Sequence, residues 1–190
     1  MSLPRAFRHG RAGFTFVELA VVLVILLVAL LIFSSTLNGI ARQRAVNHES
    51  ALAVSAARNM LETLRSETFG EVFALYNADP NDDPDGAGTA PGNRFAVEDL
   101  RAASDSVDGL EGEVLFPALD DPVEGLELHE DLVDRDLGLP RDLSGDSIVD
   151  DQDHSQDYFI LPVQVRIRWT GKSGARQYRL TSQICRFNKA

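Results

Sequence analysis

The run Gly13-Phe14-Thr15-Phe16-Val17-Glu18 opens onto Leu19-Ala-Val-Val-Leu-Val-Ile-Leu-Leu-Val-Ala-Leu-Leu-Ile-Phe33, and no charged residue follows Glu18 until Arg42. With the apolar residues 14–17 before it and the mild tail 34–41 after it, this stretch is long enough to cross a bilayer, for which about 20 helical residues at about 1.5 Å each suffice. Glu18 is the exception inside it. An ionised side chain close to hydrocarbon costs about 3 kcal/mol, so a carboxylate kept there is read as functional.

The residues upstream decide what kind of membrane segment this is. Arg5, Arg8 and Arg11 make a basic leader. A secretory signal shares that leader and an apolar core, but it ends in a small-residue cut site after the core. Here the core is followed by Arg42-Gln-Arg44 and more helix-forming sequence, and the small residue, Gly13, precedes it. A cut at Gly13 removes the leader and leaves the anchor on the mature chain. In this order of glycine, phenylalanine and a glutamate at the fifth place after the glycine, the chain resembles the type IV pilin and type II secretion pseudopilin superfamily. The resemblance is specific over residues 10–41, and Val17 stands where leucine or isoleucine is commoner. It implies that a prepilin peptidase cuts between Gly13 and Phe14 and methylates the new amino terminus.

Glu18 has a physical reason to be there. Apolar helices packed side by side in lipid gain little from hydrophobicity, so a polar pair is what fixes their register. The partner is the amino terminus freed at Phe14, on a neighbouring subunit or one turn away on the same chain. The other reading is a carboxylate at the interface that snorkels or is protonated.

After the anchor about 150 residues remain, enough for one domain of ordinary size. The net charge is −11, and removal of the three leader arginines leaves −14. That balance argues against nucleic acid as a partner, since phosphate contacts need clustered Lys and Arg. The basic leader is expected on the cytoplasmic side, which sends the acidic domain outward. The lone cysteine, Cys185, has no internal disulfide partner and reads as a buried strand residue.

From residue 43 to 68 the helix is expected to continue in amphipathic form. Val46, Ala53, Ala57, Met60 and Leu64 form one stripe, and Phe69-Gly70 ends it because glycine accepts the left-handed conformation that closes helices. Residues 77–93, rich in Pro, Gly and Asp, read as a solvated acidic loop. The far end is a β-hairpin, residues 159–185. Val163, Val165, Ile167 and Trp169 alternate with Gln164, Arg166 and Arg168; Gly171-Lys-Ser-Gly174 turns the chain; Tyr178, Leu180 and Ile184 return on one face. Residues 112–116 and 125–133 supply shorter strands. The expected fold class is therefore α+β and pilin-like, a long N-terminal helix, transmembrane in its first half, packed on a small antiparallel sheet. Its organisation is a leader (1–13), a transmembrane assembly helix (14–38), an amphipathic continuation (39–69) and an exported head (70–190).

Before the hairpin lies Asp142-Leu-Ser-Gly-Asp-Ser-Ile-Val-Asp-Asp-Gln-Asp153. An EF-hand-type calcium loop needs oxygen donors at positions one, three, five, nine and twelve and a backbone carbonyl at seven. Asp142, Ser144, Asp146, Asp150 and Asp153 occupy the first set, and Ile148 supplies the carbonyl. The segment resembles the calcium loop of dockerin modules, which also ends in aspartate. Ser147 departs from the pattern where glycine is expected at position six, a place that demands positive φ and costs serine about 1 kcal/mol. The expected cofactor is structural calcium, and the other reading is an acidic turn-rich loop without metal.

No zinc-protease, nucleophile-elbow or phosphate-loop pattern is present. His129 and His154 neighbour carboxylates but read as surface or loop histidines. An enzyme is not expected. The chain reads as a structural subunit of a type IV pilus or type II secretion pseudopilus, single-pass in the inner membrane with its head in the periplasm. Its partners are other pilin or pseudopilin subunits, prepilin peptidase and an inner-membrane assembly platform. Residues 57–66 resemble minor subunits of the PilV and I-type pseudopilin kind. The alternative is an anchored calcium-dependent binding module that never polymerises.

Overall fold

In a computed structural model, described over residues 15–122 and 125–186, the chain has two compact units, Met1–Arg44 and Ala45–Ala190. Helix α1 (Phe16–Ser66) runs for 51 residues. Thr15 opens it: its backbone oxygen accepts the Leu19 amide at 3.1 Å, and its hydroxyl accepts the Glu18 amide at 3.3 Å. That hydroxyl satisfies one of the amides a helix start leaves without a partner.

Within the first unit, the helix is apolar on every side. Its large apolar residues are exposed throughout, from Phe16 at 85% to Ile40 at 45%. It is long and apolar enough to cross a membrane. Two of its polar residues, Ser35 and Thr36, both donate to the Ile32 carbonyl, at 2.8 and 2.9 Å, which removes the cost of two bare hydroxyls in hydrocarbon.

Within the second unit, the helix buries one stripe, Ala53, Ala57, Leu61 and Leu64. Spacings of four, four and three keep these residues on one face. Leu61 is fully in the core, whereas Met60, expected on the stripe, lies at its margin. α1 ends at Ser66, two residues before the expected end, and for another reason. Thr68 is extended (φ −64°, ψ 117°) and the chain enters a 3-10 turn, Phe69–Glu71, with Gly70 inside it at ordinary negative φ. A short helix α2 (Val72–Tyr76) follows and buries Val72, Phe73 and Tyr76. Tyr158 locks this corner. Its hydroxyl donates to the Phe69 carbonyl at 2.5 Å, and its ring lies 4.9 Å from the Phe69 ring.

The strands are β1 (Arg94–Phe95), β2 (Gly112–Leu115), β3 (Ala118–Asp121), β4 (Gly125–Leu128), β5 (Ile160–Gly171) and β6 (Gly174–Cys185). They form an antiparallel four-stranded sheet in the order β1-β2-β5-β6 and a separate pair β3-β4. On β5, Leu161, Val163, Val165, Ile167 and Trp169 are buried at every second residue, but the intervening Gln164, expected on a solvated face, is buried too, while Arg166 and Arg168 keep partial exposure. Val165 faces Val114 on one side and Leu180 on the other. These side chains and the α1 stripe share one core. The α+β architecture expected from the sequence is the one found.

Two local details hold the sheet in register. Gly171 pairs with Gly174 across Lys172-Ser173, and Gly174 itself adopts φ +101°, a conformation that favours glycine. Phe95 pairs with Gly112, whose missing side chain is replaced by the phenyl ring, so a β-carbon at Gly112 would collide with it. On the other face of the sheet, Glu113 lies between Arg94, at 2.8 Å, and its cross-strand partner Arg166. At the hairpin tip, Glu49 of α1 accepts the Lys172 amide at 3.3 Å and the Trp169 indole N–H at 3.5 Å.

The shorter strands depart from expectation. The strand expected over residues 125–133 stops at Leu128, and its partner β3 was not foreseen. Residues 77–93 form an irregular loop in which Asn77 donates to Asp82 at 2.6 Å. Cys185 ends β6 opposite Ile160 and is half-buried.

Candidate functional site

The processing residues Gly13 and Phe14 lie outside the described residues. Glu18 is described, and it occupies the third position of α1. A carboxylate in the first turn is favoured there by the partial positive charge of the helix start. Thr15-Phe-Val-Glu18 is also the Ser/Thr-x-x-Glu pattern of a capping box, a signal the sequence carried in plain view. Glu18 is exposed, so it is open to a partner.

The acidic loop curls around its own amides. Asp142 Oδ1 accepts the Gly145 amide at 2.5 Å and the Ser144 hydroxyl at 3.3 Å, and Oδ2 accepts the Ser147 amide at 2.8 Å. These bonds, the Gly145 amide foremost, hold the Asp142 carboxyl below the usual aspartate range. Ser147 adopts φ +71° at the sixth position, the conformation expected there of glycine. Asp146 caps the Ile148 amide at 2.7 Å. Asp153 turns toward β4, accepting the Leu128 amide at 3.0 Å, the Ser155 amide at 2.9 Å and the Ser155 hydroxyl at 2.7 Å.

Of the expected calcium ligands, the structure gathers Asp150 into a tighter group. Among the described residues, Glu130, Asp150 and His154 bring their ligand atoms within 4.8 Å of one another, without Asp142, Asp146 or Asp153. Each of the latter three is turned onto nearby backbone amides, as the bonds above record.

Glu130 and His154 are the residues the sequence reading missed. His129 and His154, expected as surface or loop histidines, do lie in loops, yet they are 7% and 6% exposed. Glu130 is completely buried. Its Oε1 accepts the amides of Leu143 at 2.6 Å and Ser144 at 2.8 Å, fastening the start of the acidic loop to the end of β4. His154 Nε2 lies 3.2 Å from Asp150 Oδ1 and 3.7 Å from Glu130 Oε1, while Nδ1 lies 3.0 Å from Asp157. Burial alone would depress the imidazole, but the hydrogen bonds to Asp157 and Asp150 and the charge of Glu130 outweigh it and raise its pKa. Asp150 moves down, held chiefly by the Gln152 amide and then by His154. The i, i+4 spacing of Asp150 and His154 was a legible clue. Glu130, remote in sequence, was not.

No curated protein and no solved structure matches the chain. Residues 8–34 match the family described as Prokaryotic N-terminal methylation motif. The match spans Arg8 and Arg11 of the leader, Gly13, Phe14, Glu18 and the first five turns of α1. The chain thus carries a prokaryotic N-terminal methylation motif at the start of a helix long and apolar enough to cross a membrane.

Proposed function

We propose that this chain is a minor structural subunit of a type IV pilus or type II secretion pseudopilus. Prepilin peptidase cleaves it after Gly13 and methylates Phe14. The anchor holds it in the inner membrane with the head in the periplasm until an assembly platform passes it to neighbouring subunits. The supporting observation is the coincidence of the methylation motif with an apolar helix exposed on all sides. Such a surface is satisfied by lipid before assembly and by other helices after it, and Glu18, meeting a neighbour's Phe14 amino group, sets the register. The test is Glu18→Ala in a strain that assembles filaments. Membrane retention is expected to persist while incorporation into fibres is lost; unchanged incorporation would defeat the proposal.

The same proposal assigns structural calcium to residues 142–153, with Asp142, Ser144, Asp146, Asp150, Asp153 and the Ile148 carbonyl as ligands. What supports it is the left-handed Ser147 at the sixth position and the folding of the Asp142 carboxylate over the loop amides. The ion would fasten a loop that no disulfide holds. Calorimetric titration of the chain with calcium is expected to give one site that Asp142→Asn removes.

A further inference from the structure

We propose that Glu130, Asp150 and His154 form a second cation site, suited to zinc or a similar borderline divalent metal, which shares Asp150 with the calcium loop. The donor set is one imidazole nitrogen and two carboxylate oxygens. Calcium favours oxygen alone, whereas zinc takes this mixture with a water as fourth ligand. The spacing fits as well. Zinc bonds of about 2.0–2.1 Å in a tetrahedron place neighbouring ligand atoms about 3.3 Å apart, and His154 Nε2 lies 3.2 Å from Asp150 and 3.7 Å from Glu130.

The surroundings are those of a built site. Asp157, 3.0 Å from Nδ1, orients the ring so that Nε2 faces the two carboxylates, the arrangement in which a carboxylate behind a histidine fixes its tautomer for metal. The Leu143 and Ser144 amides hold Glu130 Oε1. An independent observation points to a ligand. Glu130 is fully buried, yet its Oε2 has no hydrogen-bond partner among the described residues. A sealed carboxylate oxygen without a partner is costly. The His154 ion pair engages Oε1 and leaves that cost in place; a cation that draws on both oxygens of the Glu130 carboxylate offsets it. The Asp150 side chain, 28% exposed, gives the metal its entry and leaves room for water.

The test is zinc alone, titrated into the full chain in detergent against a chromophoric chelator, with cobalt absorption as a report on coordination. One zinc is expected at Kd of about 1 µM or tighter, with a four-coordinate cobalt spectrum. His154→Gln should abolish it, and Asp157→Asn should weaken it about 10–100-fold. Asp157 is largely exposed, so this variant decides the matter even if His154→Gln fails to fold. Asp142→Asn should leave zinc binding intact while removing calcium, which separates the two sites. Absence of zinc binding, or binding that both His154→Gln and Asp157→Asn leave unchanged, would overturn the assignment.

Discussion

The two halves of α1 have the same backbone and opposite surfaces. Between residues 16 and 40 the large apolar residues are exposed, whereas between 53 and 64 Ala53, Ala57, Leu61 and Leu64 vanish into a core. The difference lies in pattern rather than propensity. An all-round apolar helix has no side to prefer and needs an apolar solvent, while a single stripe needs a partner surface. The small size of two stripe residues lets that partner approach closely.

The largest expected effect sharpens this contrast. Leu64→Ala should destabilise the head by about 2–5 kcal/mol, because a fully buried leucine leaves both lost transfer energy and a cavity. Denaturant unfolding followed by Trp169 fluorescence checks it. The same truncation at Leu23, 50% exposed, should shift head stability by no more than about 0.5 kcal/mol.

Next comes the corner where the helix ends. Tyr158→Phe removes the hydrogen bond to the Phe69 carbonyl and should cost about 1–2 kcal/mol. Its pH dependence has a definite sign. Burial pushes the Tyr158 phenol from 10.0 up to about 12. The folded state therefore holds the proton more tightly, and this contribution is complete below pH 10 and disappears as pH rises toward 12. Wild-type protein should lose stability across that window more steeply than Tyr158→Phe, as alkaline denaturation curves would record.

How far these features were legible follows the distance over which each is encoded. The hairpin was readable because its alternation and its Gly-Lys-Ser-Gly turn are local, and most of the α1 stripe because Ala53, Ala57 and Leu64 recur at helical spacing, although Leu61 rather than Met60 completes it. The pair β3-β4 was not. Ala118-Leu-Asp-Asp lacks two distinct faces, and its partner strand was overextended to residue 133. At the candidate metal group, Asp150 and His154 share one short segment. Glu130 reaches them because Asp153 and His154 both bond the backbone of Leu128, at 3.0 and 2.9 Å, and the Leu143 and Ser144 amides bond Glu130 itself, which folds the acidic loop back on β4. That contact is tertiary and leaves no local periodicity to read.

The smallest effect concerns the start of the helix. Thr15→Ala removes the hydroxyl that accepts the Glu18 amide and should cost about 1 kcal/mol of local helix stability. Amide exchange at residues 16–19 should accelerate about fivefold, with exchange at residues 53–64 unchanged. Equal acceleration in both segments would erase the distinction between the two halves.

The proposed processing leaves the apolar half of α1 on the mature protein, beginning at Phe14. Mass spectrometry of the mature N-terminus tests it most directly. A chain beginning with N-methylated Phe14 is the predicted result; a chain beginning beyond residue 33, with the apolar segment removed, would contradict it.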